Sequence, residues 1–60
     1  MTRRNEYIIE FIPQGRFVKV TAVDPATGTE AVLVGDARLR QETLAAQAIK
    51  KLEFLLNRKN

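Results

Sequence analysis

Cysteine, histidine, serine and tryptophan are all missing from this 60-residue chain. Without cysteine there is no disulfide staple and no thiolate metal site. Without histidine the commonest metal ligand and the commonest general base are both gone. Thr21, Thr27, Thr29 and Thr43 therefore have no imidazole to activate them as nucleophiles. Gly15, Gly28 and Gly35 are the only glycines, and they form neither a Gly-x-Gly-x-x-Gly nor a Gly-Lys-Thr phosphate loop. The carboxylates are scattered along the chain, and nothing marks an all-oxygen Mg²⁺ site. These absences argue against an enzyme, and no cofactor, metal or catalytic residue is expected. Long apolar runs are missing too. None approaches the eighteen or so residues of a membrane span, so no membrane association is expected. The start, Met1-Thr2-Arg3-Arg4-Asn5, is basic but has no apolar core behind it, unlike a signal peptide. The cytoplasm is the expected compartment.

What remains is small. A 6.8 kDa chain makes one domain, which buries only about 60% of the surface its unfolded form would expose. Domains of this size usually need a staple: disulfides, a metal or a second subunit. With the first two removed, a homo-oligomer is expected, a dimer before anything larger.

The net charge of +3 and the pI near 9.8 invite a nucleic-acid reading, so the placement of the charge matters. Arg3, Arg4, Arg58 and Lys59 sit in the two ends, read as short tails over 1–5 and 58–60. Between Glu6 and Asn57 six basic residues face seven acidic ones, a net charge of −1 for the body. The basicity belongs to the ends.

Three strands and a helix follow from the pattern. Glu6 to Ile12 is aromatic and β-branched, which suits a pleated surface. Pro13-Gln14-Gly15-Arg16 reads as a tight turn and Phe17 to Val23 as the second strand. Asp24-Pro25-Ala26-Thr27-Gly28 is a stronger turn: Pro25 presets φ, Asp24 can bond the backbone ahead, and Gly28 can take the left-handed position. Thr29 to Val34 is the third strand, and short connections make neighbours antiparallel. With Gln14-Gly15 at the first tip, Phe11 faces Val18, Ile9 faces Val20, Tyr7 faces Ala22 and Glu10 pairs with Lys19, which accounts for that lysine. A four-residue second loop, Pro25 to Gly28, sets Ala22 against Ala31 and Val20 against Leu33. A shorter loop would set Val20 against Val32.

From about Arg40 to Asn57, Leu44, Ala45, Ala48, Ile49, Leu52, Leu55 and Leu56 fill one arc at 100° per residue, the signature of an amphipathic helix. Its start is poorly marked: Asp36 can cap an early beginning and Gly35 can end the strand. The expected fold is α+β: a three-stranded antiparallel β-meander followed by one C-terminal α-helix packed on one sheet face, βββα. Tyr7, Ile9, Phe11, Val18, Val20, Ala22, Ala31 and Leu33 form the face the helix covers.

Two apolar features are left over. The other sheet face carries Ile8, Ile12, Phe17, Val23, Val32 and Val34, with Glu10, Lys19, Thr21 and Glu30 among them. Phe54 points away from the leucine stripe, toward Lys50, Lys51 and Gln47. β-branched residues favour strands for their own sake, and single exposed apolar side chains are common; a ring can also fold back over a helix end. Six on one face of so short a chain is nonetheless a large set. These seven residues are the candidate interface, joined by the strand edges, where Tyr7 to Ile12 has little to guard it beyond Glu10 and Pro13.

The block Val18-Lys19-Val20-Thr21-Ala22-Val23-Asp24-Pro25-Ala26-Thr27-Gly28-Thr29-Glu30, followed by a helix with Lys51-Leu52-Glu53, resembles a family of small bacterial proteins of unknown function and about this length. The resemblance runs from about Phe11 to Leu56. It implies a stand-alone domain and brings no activity, cofactor or site residue. The leading expectation is a small interaction domain that self-associates through the apolar sheet face, a strand edge or the helix. The alternative is a nucleic-acid-binding module. Three-stranded sheets followed by a helix do enter major grooves, but Lys19 among Glu10 and Glu30 is the wrong charge pattern for phosphate, leaving the tails to bind weakly.

Overall fold

In a computed structural model, residues 6–58 are described, which leaves Arg3, Arg4 and Lys59 outside the described residues. Three strands, β1 (Ile8–Gln14), β2 (Phe17–Asp24) and β3 (Thr29–Asp36), form one antiparallel sheet in the order β1-β2-β3, and α1 (Gln41–Arg58) packs on one face. This is the expected βββα arrangement. Arg58 belongs to the last turn of α1 rather than to a tail.

The first hairpin departs from expectation by two residues. Gln14 pairs with Phe17, so Gly15-Arg16 is the tip, and Phe11 lies opposite Val20, Ile9 opposite Ala22 and Glu10 opposite Thr21. The cause is local. Gly15 has φ +64°, and among the described residues no non-glycine residue has positive φ. A two-residue loop with positive φ only at its first central position is type II′, and glycine belongs at that position. A tip at Gln14-Gly15 would have forced Gln14 into the left-handed region. The shift is even, so every side chain keeps its face. The expected Glu10–Lys19 pair is lost, because Lys19 lies between Ile12 and Val34.

Pro13 is consequently a strand residue, not a turn residue. The Ala37 N–H donates to the Arg16 carbonyl (2.9 Å), which makes Phe17↔Asp36 a non-hydrogen-bonded pair and fixes the alternation across the sheet. Pro13, opposite Val18, then has its backbone directed to the free edge, where a missing N–H costs no ladder bond.

The second hairpin has the expected four-residue loop, with Ala22 opposite Ala31 and Val20 opposite Leu33. Asp24 organises it. Its carbonyl accepts from Gly28 N–H (2.7 Å) and Thr27 N–H (3.2 Å), and its carboxylate accepts from Ala26 N–H (3.1 Å) and the Thr27 hydroxyl (3.0 Å).

Strand β3 runs two residues beyond the expected Val34, through Gly35. Gly35 is on the helix-facing side opposite Val18, and a methyl group there would overlap Leu44 Cδ2. The glycine is a seat for Leu44, not a strand terminator. Asp36 does not cap the helix. Its Oδ1 accepts from Arg38 N–H (2.8 Å) and its carbonyl from Leu39 N–H (3.0 Å), forming the turn that lifts the chain off the sheet. The helix begins where the Arg40 carbonyl accepts from Leu44 N–H (3.1 Å).

Val18, Val20, Ala22, Ala31, Leu44, Ala48 and Leu52 form the core, and Tyr7, Ile9, Phe11, Leu33, Leu55 and Leu56 border it. Residues 44, 48 and 52 are spaced by four, one row of a helix face, and this row lies on Val20 and Ala22, which are fully buried. The small Ala22, Ala31 and Ala48 let α1 approach closely. That helix lies over β3 and β2, with β1 at the margin of its footprint.

Candidate functional site

The pairing lays out the outer sheet face as four rows. Ile8, Val23 and Glu30 form the first; Glu10, Thr21 and Val32 the second; Ile12, Lys19 and Val34 the third; Gln14, Phe17 and Asp36 the last. Ile8, Phe17 and Val34 are each more than half exposed, Ile12 and Val32 are over a third exposed, and Val23 is half-buried. Thr21, at the middle of the face, is buried by its neighbours. Apolar and charged side chains are mixed here: Lys19 has apolar neighbours on both flanks, and Glu10 lies only diagonally from it.

Phe54 is also exposed, but on the helix side turned away from the sheet, with the Arg58 guanidinium 5.8 Å from its ring centre. The fold therefore brings six of the seven candidate residues onto one face and sets Phe54 on the opposite side of the molecule. One flat partner cannot engage all seven. Leu39, 45% exposed in the β3–α1 connection, is an apolar residue the sequence reading passed over. It precedes the helix without joining its stripe.

The two edges of the sheet differ. On β3, Lys51 extends from α1 and its Nζ donates to the Val32 carbonyl (2.6 Å). This occupies an edge acceptor and holds a positive charge where another strand would have to dock. On β1, Ile9, Phe11 and Pro13 direct their backbone outward by the alternation derived above. Among the described residues nothing bonds to the edge groups of Ile9 and Phe11, and the Tyr7 hydroxyl reaches back to Glu53 Oε2 (3.4 Å).

One open recess, about 630 Å³, lies at the end of the sheet between the two connections, lined by Gly15, Arg16, Phe17, Asp36, Ala37 and Arg38. Its chemistry is an ion pair. Arg38 Nε and Nη2 meet Asp36 Oδ1 and Oδ2 at 3.2 and 2.9 Å. The guanidinium holds the Asp36 carboxyl below its usual range, chiefly through that side-chain bond, and the Arg38 pKa is raised in turn. Both groups are exposed to water, so the pair contributes little to stability. The recess offers no nucleophile with an adjacent base. Among the described residues no three carboxylates converge as a metal site would require, and no helix is long and apolar enough to cross a membrane.

The whole pattern, strand–turn–strand block and helix together, matches a described family from residue 4 to residue 59. The chain belongs to DUF6898, a domain of unknown function. The DUF6898 match covers nearly all 60 residues, in keeping with the resemblance to a small uncharacterised family. No curated protein and no solved structure matches the chain.

Proposed function

We propose that this DUF6898 chain is a non-catalytic interaction domain whose working form is an assembly of its own copies. The observation that carries the reading is the apolar surface left outside a finished core: Ile8, Ile12, Phe17, Val32 and Val34, all on one sheet face and all exposed. One face of the sheet is open to water, and among the described residues nothing covers it. Burial is worth about 25 cal/mol per Å² of apolar surface, which a second copy would supply. Catalysis is not supported by the same surface, where a lone lysine and scattered carboxylates have no shared target. Light scattering over a dilution series from millimolar to submicromolar tests the reading. A mass above 6.8 kDa that falls on dilution is expected. A folded protein at the monomer mass throughout would refute self-association.

A further inference from the structure

We propose that the recess between the first hairpin tip and the β3–α1 link binds a small phosphate monoester that carries a flat ring, with Arg38 and Arg16 on the phosphate and Phe17 against the ring. The site lies within one chain and needs no second copy.

Two segments build it. The bond from Ala37 N–H to the Arg16 carbonyl (2.9 Å) ties the hairpin tip to the link, so Arg16 and Arg38 leave the backbone from adjacent segments. Phe17 lies opposite Asp36 in the sheet, which sets its side chain beside the carboxylate that holds Arg38. Arg16, Phe17, Asp36 and Arg38 all line the recess.

The ion pair prepares a guanidinium for a ligand. Asp36 takes Nε and Nη2 of Arg38, at 3.2 and 2.9 Å, along one edge of the fork. Nη1 has no bond among the described residues. With the second N–H of Nη2 it forms the end edge of the fork, which can give two parallel bonds to one anion. Asp36 is itself held, because Oδ1 also accepts from the Arg38 N–H (2.8 Å). The guanidinium plane is thus set before a ligand arrives, which lowers the ordering cost of binding. Arg38 matches the charge of Asp36, and Arg16 has no ion-pair partner among the described residues, so the recess is net positive. Guanidinium groups from two segments suit a tetrahedral phosphate, which offers oxygens on several sides.

Volume and Phe17 argue for more than a bare ion. The recess, about 630 Å³, falls within the ~300–1,000 Å³ of pockets that hold small organic molecules. Phe17 is 55% exposed and offers a face on which a flat ring can stack. No lining side chain is an uncharged hydrogen-bonding group, so the ring is held by its face and its identity matters little.

The test is a titration of the intact chain, followed by ¹⁵N–¹H spectra at low salt in a phosphate-free buffer. Adenosine 5′-monophosphate and O-phosphotyrosine are the probes, with inorganic phosphate and adenosine as the separate halves. Amides of residues 15–17 and 36–38 should shift saturably with the monoesters, and each half should bind about fivefold more weakly or worse. Arg38→Gln and Arg38→Lys should each weaken binding about tenfold, the loss of a charge-assisted hydrogen bond, since lysine keeps the charge and not the fork. Phe17→Leu should weaken the monoesters and leave inorganic phosphate unchanged. Lys50→Gln removes a charge from the helix and should change nothing. All these positions are exposed, and circular dichroism melts confirm that each variant folds. A preference for one monoester keeps the proposal and names the source of the ring, a nucleotide or a phosphorylated phenol. Inorganic phosphate bound as tightly as the monoesters marks an adventitious ion only and overturns it. Equal losses from Lys50→Gln and Arg38→Lys overturn it too, as does a titration that does not saturate by about 10 mM.

Discussion

Gly35→Ala separates two physical arguments that predict opposite signs. From the sequence, glycine inside a strand is a weakness: alanine reduces the entropy of the unfolded chain, a gain of about 0.4–1 kcal/mol where the backbone accepts it. The backbone accepts it here, because φ at Gly35 is not in the left-handed region. The structure reverses the sign. The added methyl overlaps Leu44 Cδ2, and Leu44 is 1% exposed, held between α1 and the sheet. Crowding a packed core costs about 1–3 kcal/mol. The whole stability of a chain this size is about 3–9 kcal/mol, at roughly 0.05–0.15 kcal/mol per residue. Thermal unfolding by circular dichroism should show a Tm lowered by about 5–20 °C, using roughly 4–8 °C per kcal/mol. The double variant with Leu44→Ala supplies the control. Leu44→Ala alone is costly, about 2–5 kcal/mol, so the cycle is run in a stabilising osmolyte. In that background the overlap is gone, and Gly35→Ala should be neutral or favourable. A Gly35→Ala variant as stable as the wild type, or additivity across the cycle, would show that Leu44 is not seated on Gly35.

Leu52→Ala should lower stability by about 2–5 kcal/mol, since Leu52 is fully buried, whereas the exposed Lys50→Ala should stay within about 0.5 kcal/mol; equal melting shifts would mean a misassigned helix face. Lys51→Met keeps the stem over the sheet and removes the donor to Val32. It should cost under about 1.5 kcal/mol, read from thermal unfolding, and a loss well above that would mean that Lys51 does more than bond this carbonyl. Asp36 has a folded pKa below its unfolded value, so its contribution is present above the unfolded value and lost as pH falls through the folded one; Asp36→Asn should remove a small part of the acid-side loss of stability and leave neutral-pH melting nearly unchanged. Binding to duplex DNA should be weak and indifferent to sequence, with a salt slope of about 0.9 per phosphate contacted, and a strong preference for one sequence over a scrambled one in a fluorescence titration would refute that.

The fold class was legible because two periodicities switch cleanly, from two along residues 7–34 to 3.6 along 44–56. The second hairpin was legible because Asp-Pro-x-x-Gly states both its loop length and its left-handed residue. Register in the first hairpin was legible too, in principle. Gly15 is the only residue of Pro13-Gln14-Gly15-Arg16 that tolerates positive φ, and a II′ loop places glycine first. The Glu10–Lys19 pairing is a surface charge pair worth a few tenths of a kcal/mol, outweighed by the backbone restriction at Gln14. Proline so often marks turns that Pro13 points to the same tip, and only the bond alternation shows that its missing N–H lies on the edge. The structural role of Gly35 had no local signal. It depends on where Leu44 lands nine residues later.

The asymmetry of helix placement was beyond pattern reading for a related reason. Periodicity says which arc of α1 faces the sheet, not which strands it covers. The short link from Asp36 to Gln41 sets where it begins: it leaves the end of β3, so the helix starts beside β3, and it lies over β3 and β2. The row of Leu44, Ala48 and Leu52 is narrow, and Ala22, Ala31 and Ala48 draw it down onto the centre of the sheet instead of outward to β1. Side chains on β1 then have the right character for a core and too little helix above them. The apolar residues of β1 alternate on both faces, Ile8 and Ile12 outward, Ile9 and Phe11 inward, which is the pattern of a strand covered above and below the sheet, and α1 supplies only part of one cover.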